Sequence, residues 1–277
     1  MKKVTVQTFQ QMKNDGEKIT ALTAYDYSTA KYIDEAGIDF ILVGDSLGMV
    51  ILGYDSTCKV TIDEMKIFTA AVTRGAKRCL VVADLPFMSY HADLAEGVRN
   101  AGELIKAGAQ AVKLEGATDH ILSVIKRCTE SGIPVMAHLG FTPQSLNTLG
   151  GFKVQSKSYD ATLELLEQAR KVQEAGAFAV VLEMVPQQSA KYVTENISIP
   201  TIGIGAGKDC SGQILVSDDI FGKYSELSPK FVRKYGDLSS LIKNCTQNYI
   251  NDVKSLNFPS SDESFNLKEE EAEKLCC

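Results

Sequence analysis

The chain has 277 residues, 44% of them hydrophobic, enough to bury the core of one (β/α)8 barrel or of two smaller domains. A net charge of −6 argues against a nucleic-acid partner, which needs a basic surface. No apolar run approaches the ~20 residues of a membrane span, so no membrane partner is expected either. Lys2-Lys3 have no apolar stretch behind them, so the N-terminus does not read as a signal peptide. The seven cysteines are scattered without a C-x-x-C pair and read as reduced, mostly packed thiols of a cytoplasmic protein.

In chain order, short apolar, β-branched runs predict strands over 19–24, 39–45, 79–84, 110–115, 133–138, 178–183, 200–204 and 213–216. Helical periodicity lies between them over 27–36, 63–75, 93–107, 118–131, 160–175 and 187–196, with a last helix over 236–254. Three helices end on Ala36-Gly37, Ala107-Gly108 and Ala175-Gly176, where glycine supplies a left-handed cap. Pro134 and Pro200 each stand at the start of a strand, a position proline tolerates. Regular alternation of strand and helix selects a (β/α)8 TIM barrel spanning residues 1–257 over an open doubly wound sheet. Residues 258–277, with Lys268-Glu269-Glu270-Glu271 and a terminal Cys276-Cys277, change character and read as an acidic, solvated tail, disordered or a frayed helix.

The strands finish on ionisable residues: Asp45, Asp84, Lys113 with Glu115, His138, and Glu183. Acids at the carboxyl ends of several parallel strands converge at the top of a barrel, where such enzymes keep their active sites. One such acid can be a helix cap and a lone His can be a core residue; this many on successive strand ends point to a site. Lys113 and Glu115 share a strand face, and two neighbouring strand-end carboxylates, Asp45 and Asp84, suit magnesium, which takes few carboxylates plus waters and substrate oxygens. His91 and His120 lie in helix or loop contexts and read as surface residues. Gly203-Ile204-Gly205-Ala206-Gly207 fails as a dinucleotide motif because Lys208 occupies the third glycine position; its glycines are expected to let the chain approach a bound molecule.

Longer strings carry a resemblance. Val43-Gly44-Asp45-Ser46-Leu47-Gly48-Met49, Ala83-Asp84-Leu85-Pro86-Phe87-Met88 and Val112-Lys113-Leu114-Glu115-Gly116 are followed in order by three more. These are His138-Leu139-Gly140-Phe141-Thr142-Pro143-Gln144-Ser145, Leu182-Glu183-Met184-Val185-Pro186 and the glycine string at 203–207. Over residues 4–255 the chain resembles the ketopantoate (3-methyl-2-oxobutanoate) hydroxymethyltransferases. The resemblance implies a barrel of the phosphoenolpyruvate-mutase and isocitrate-lyase superfamily. It also implies Mg2+, a small 2-oxo acid and 5,10-methylenetetrahydrofolate as co-substrates, a step in pantothenate synthesis, and a homo-oligomer, commonly a decamer. Residue by residue, it gives Asp45 and Asp84 as metal ligands with Glu115 beside them as an outer carboxylate, and Ser46 and Lys113 as 2-oxo acid contacts. Glu183 matches the general base, and His138 a substrate-side position.

One departure stands before the eighth strand, where Ser211-Gly212-Gln213 replaces the usual Asp-Gly-Gln; this loop is expected near the barrel top, on the donor side. Two other readings compete: a lyase or mutase on the same rim, and an inactive barrel used as a scaffold. The first lacks a suitably placed reactive cysteine, Cys128 and Cys210 being poor substitutes, and the second is opposed by the intact set of acids.

Overall fold

A computed structural model of the chain describes residues 3–224 and 229–276. Helix α1 (Val6–Asp15) precedes strand β1 (Ile19–Thr23), helix α2 (Tyr27–Glu35), β2 (Phe40–Val43), the single turn α3 (Leu47–Val50) and α4 (Ile62–Gly75). Then come β3 (Leu80–Asp84), α5 (Leu94–Lys106), β4 (Ala111–Glu115), α6 (Asp119–Glu130), β5 (Val135–Gly140), the short α7 (Leu146–Leu149) and α8 (Tyr159–Glu174). The barrel ends with β6 (Ala179–Glu183), α9 (Gln187–Glu195), β7 (Thr201–Ile204), β8 (Gly212–Leu215) and the short α10 (Ser217–Ile220), followed by α11 (Leu238–Lys254). Among the described residues, eight strands pair in parallel in sequence order, and β8 closes on β1 through Ile19 opposite Gly212. This is the expected (β/α)8 barrel, with every predicted strand in place.

Local chemistry sets the helix limits. Asp26, Thr61, Asp93, Thr118 and Ser158 each accept a backbone N–H of the first turn of the helix that follows, which starts α2, α4, α5, α6 and α8 directly after strand-top loops. Gly37, Gly108 and Gly176, beyond α2, α5 and α8, hold φ of 99°, 112° and 103°, the left-handed turn expected of the Ala-Gly endings.

Side chains in the strands divide with period two. One set, including Ile41, Val81, Val112, Leu114, Ala137, Val180 and Leu182, packs outward against the helices. The other, including Ala21, Phe40, Leu42, Leu80, Val82, Ala111, Met136, Ala179, Val181, Ile202 and Ile214, fills the barrel. Helix α1, which no sequence pattern marked, adds Phe9 and Met12 to this inner cluster; Phe9 is fully buried, with ring centroids 5.3 Å from Phe40 and 5.7 Å from Phe178. Apolar residues thus fill the amino-terminal part of the barrel interior, and the inward ionisable side chains lie at the opposite rim.

Several expectations need correction. Ser211 lies at the amino-terminal end of β8, not at the top: its hydroxyl accepts from Thr201 N (3.2 Å) and its carbonyl accepts from Ile19 N (3.0 Å). The replacement of Asp by Ser therefore bears on strand-start packing and leaves the rim untouched. Gly205 and Gly207 (φ 64° and 78°) lie against Phe231 and Gln187 of the same chain, and this close internal packing accounts for both glycines. His91 and His120 are part-buried: Met88 N donates to His91 Nδ1 (3.1 Å), and His120 Nε2 lies 2.9 Å from Tyr90 O.

Candidate active site

The inner face of the barrel continues upward from its apolar layers into ionisable ones. On β3 the inward series Leu80, Val82 ends on Asp84; on β4 Ala111 is followed by Lys113 and Glu115. On β5 Met136 is followed by His138, and on β6 Ala179 and Val181 lead to Glu183. The period of two that buries the core therefore also aims five ionisable side chains into one space. β2 reaches it differently. The strand stops at Val43, and Gly44-Asp45-Ser46 turns into α3, with Leu47 N bonding to Gly44 O (3.1 Å) and Gly48 N to Asp45 O (3.0 Å). Gly44 occupies the inward position; a Cβ there would stand 2.7 Å from Ser46 Oγ and 3.5 Å from Asp84 Oδ2, so its bare backbone makes room for both.

The seven residues marked in the sequence are brought together. Lys113 Nζ lies 2.8 Å from Asp84 Oδ1, and the backbone N–H of Asp45 donates to Asp84 Oδ2 (3.1 Å). His138 bridges two carboxylates, with Nδ1 3.2 Å from Glu115 Oε1 and Nε2 3.2 Å from Glu183 Oε2. Lys113 Nζ stands 3.4 Å from His138 Nδ1 and joins the two halves. Ser46 is anchored from the loop after β1 by the Tyr25 hydroxyl at 2.8 Å. Asp45, Asp84, Lys113, Glu115 and His138 are all buried.

Four carboxyl groups here face two cationic side chains, and the imbalance is visible in their protonation. Burial, then the charges of Asp84 and Glu115, push the Asp45 carboxyl well above the usual carboxylate range, against the pull of Lys113 and Gln144. Burial raises Asp84 as well, with Lys113 opposing it. Burial also works to raise Glu115, but its bond to His138, aided by Lys113 and the Gln144 amide, holds it below the ordinary value. His138 is depressed by burial and by Lys113; its bonds to Glu115 and Glu183 outweigh both and bring it up to about 9. The two flanking carboxylates thus favour the charged form of the ring against its burial.

Among the described residues no three carboxylate, imidazole or thiol groups converge as a closed metal cage. The donor set fits a hard divalent ion of another kind, one held by two carboxylates plus waters and substrate oxygens. Asp84 Oδ1 is buried and, its ion pair with Lys113 aside, has no hydrogen-bond partner among the described residues, and the surplus negative charge that raises Asp45 is what a divalent cation would offset.

Two further residues belong to the site and escaped the sequence reading. Gln144, after β5, donates from Nε2 to Asp45 Oδ2 (2.9 Å) and from its backbone N–H to Glu115 Oε2 (3.0 Å). Tyr90, after β3, donates to Gln144 Oε1 (2.7 Å) and accepts from Glu115 N (3.0 Å).

A family model for ketopantoate hydroxymethyltransferase matches residues 3–261. The chain belongs to the ketopantoate hydroxymethyltransferase family. Over 274 residues it is 55% identical to the 3-methyl-2-oxobutanoate hydroxymethyltransferase of Clostridium novyi and 54% identical to that of Enterococcus faecalis, with 99% of each chain covered. As a member of this family it is an enzyme that transfers a hydroxymethyl group to a 2-oxo acid, forming a carbon–carbon bond, in pantothenate synthesis. In fold it resembles a phosphonopyruvate hydrolase solved with oxalate and magnesium (TM-score 0.61, 13% identity, 94% of this chain and 93% of that one covered). It also resembles a 2,3-dimethylmalate lyase of the phosphoenolpyruvate-mutase and isocitrate-lyase superfamily (TM-score 0.59, 16% identity, 98% and 97% covered). These likenesses show the same barrel fold.

Proposed function

We propose that the rim residues carry out hydroxymethyl transfer from 5,10-methylenetetrahydrofolate to 3-methyl-2-oxobutanoate, giving 2-dehydropantoate and tetrahydrofolate. Asp45 and Asp84 would hold Mg2+, with Glu115 as an outer carboxylate. When bound, the ion supplies Lewis-acid polarisation of a keto oxygen. Lys113, charged and buried beside Asp84, offsets the negative charge of the 2-oxo acid and fixes its orientation with the Ser46 hydroxyl. Glu183 removes the proton from C3, and His138, locked between Glu115 and Glu183, presents that carboxylate to it. Water adds to the methylene carbon and its C–N bonds break, releasing tetrahydrofolate and a one-carbon unit at the formaldehyde level. The enolate carbon attacks that carbon, and the resulting alkoxide takes up a proton to become the hydroxymethyl group. The observation that carries this reading is the Glu115–His138–Glu183 bridge beside the Lys113–Asp84 pair, an oriented base next to a charge-neutralised carboxylate cluster.

The working unit in this reading is a cytoplasmic homo-oligomer, a decamer as the resemblance implies. Helix α11 supports assembly: none of its residues is buried, and Leu241, Ile242, Tyr249 and Val253 leave an apolar stripe uncovered. Residues 1–257 form the catalytic unit and 258–277 a solvated tail; the side chains described from 258 onward are exposed or, at Ala272, half-exposed. Light scattering of the purified protein measures the assembly, and a monomer would remove this part.

The chemistry is tested by NMR of solvent deuterium exchange at C3 of 3-methyl-2-oxobutanoate, with Mg2+ or EDTA, before and after adding methylenetetrahydrofolate. Metal-dependent exchange followed by 2-dehydropantoate is the expected result. Exchange that is absent with Mg2+, or that persists undiminished in EDTA, overturns the scheme.

A further inference from the structure

Gln144 is a neutral side chain buried among charges, and each of its polar atoms has a partner. Both amide protons are used, on Asp45 Oδ2 and Leu85 O (2.9 Å each), while Oε1 receives the Tyr90 hydroxyl at 2.7 Å. A reversed amide would set oxygen against both acceptors, so one orientation alone satisfies the group. Its backbone N–H meets Glu115 Oε2, and the Glu115 N–H meets the fully buried Tyr90 hydroxyl. A closed ring of bonds therefore ties the loops after β2, β3 and β5 to the end of β4 and fixes Asp45 and Glu115 relative to each other.

We propose that Gln144 and Tyr90 are positioning residues that set the orientation and spacing of the Asp45 and Glu115 carboxylates and thereby tune the enzyme's affinity for its divalent ion. The inference rests on Asp45 as a metal ligand, as proposed above. Partners that bond a ligating carboxylate orient it, and their loss typically weakens metal binding by about 10- to 100-fold. The Gln144 amide proton on Oδ2 holds one edge of the Asp45 carboxylate in place. Tyr90 acts one bond further away, by holding the amide in its single workable orientation.

The experiment measures Mn2+ binding to the purified full-length protein by electron paramagnetic resonance, with thermal unfolding followed in parallel on the metal-free form. Gln144→Met, which keeps the bulk and removes the bonds, is expected to raise the Mn2+ Kd by about 10-fold or more, and Tyr90→Phe by a smaller factor. In both, KM for the 2-oxo acid rises and falls back as metal concentration is increased, which a purely structural defect would not do. Asp45→Ala is the reference. If it weakens Mn2+ binding while both Gln144→Met and Tyr90→Phe bind like the parent, the positioning role is overturned and the metal assignment stands. If Asp45→Ala itself binds Mn2+ like the parent, the metal assignment falls and the positioning role with it.

Discussion

His138 Nε2 lies 3.2 Å from Glu183 Oε2, so ring and carboxylate face each other in direct contact at the rim. Replacing Glu183 with Gln keeps the shape and removes one of the two carboxylates that raise His138 to about 9. The expected outcome is loss of C3 proton exchange together with a His138 titration midpoint shifted to lower pH, both read by NMR. Exchange at the parent rate would remove Glu183 from the role of base.

Asp34 offers a pH prediction away from the site. It is buried, yet its carboxylate accepts the backbone N–H groups of Lys77 (2.8 Å), Arg78 (3.0 Å) and Cys79 (2.7 Å). Burial alone would raise it; the three amides outweigh burial and hold it below the ordinary carboxylate value. A depressed folded value contributes stability above the unfolded pKa of ~3.9 and loses it as pH falls through the lower folded value. Asp34→Ala should therefore destabilise by about 2–3 kcal/mol at neutral pH, with the gap to the parent narrowing below pH ~4. Urea midpoints across that range decide it; a gap constant with pH would contradict the linkage.

The strands and the rim acids were legible because each obeys a short-range rule. Val180-Val181-Leu182-Glu183 shows its strand, its inward parity and its terminal acid within four residues. Asp45 needed more than that rule, since it stands past the end of β2 and owes its place to the turn into α3. Gln144 stands in the 138–145 string yet shows no role there, and Tyr90 stands in none, because a neutral amide and a phenol in loops reveal nothing of bonds that span 99 residues to Asp45 and 54 to each other. Helix α1 was missed for a related reason: its apolar residues are few, and their partner is the distant interior of the barrel.

Gly140, opposite Glu183 across β5 and β6, has φ of 88°, and a side chain there would collide with the Glu183 carbonyl oxygen. Gly140→Ala combines backbone strain of about 1–3 kcal/mol with displacement of the strand end that carries Glu183. Both stability in urea and kcat should fall. A variant that loses stability at unchanged kcat would show that Glu183 tolerates the shift.

At the other end of the barrel, Phe9→Ala empties a fully buried site against Phe40 and Phe178. The expected cost is about 3–5 kcal/mol in chemical denaturation, with kcat of the folded fraction retained because the rim is untouched. A kcat that dropped in proportion to stability would show that the apolar plug and the rim are coupled.

Lys113→Met separates the electrostatic work of the lysine from its bulk. Burial opposes the ammonium charge, but Asp84, Glu115 and Asp45 outweigh it and raise the group above its usual value, so its contribution is complete at neutral pH and is lost only as pH rises through that raised value. Without it, Asp84 is a buried carboxylate stripped of its cation at 2.8 Å, a loss worth about 3–5 kcal/mol in comparable settings. The surrounding carboxyls then take up protons more readily, so the deficit of the variant should shrink as pH is lowered and they are neutralised. Urea midpoints for parent and variant at neutral pH and near pH ~5 test this, since both values lie above the ordinary carboxylate range where only raised groups titrate. An equal deficit at both would mean that the lysine supports the rim by packing and not by charge.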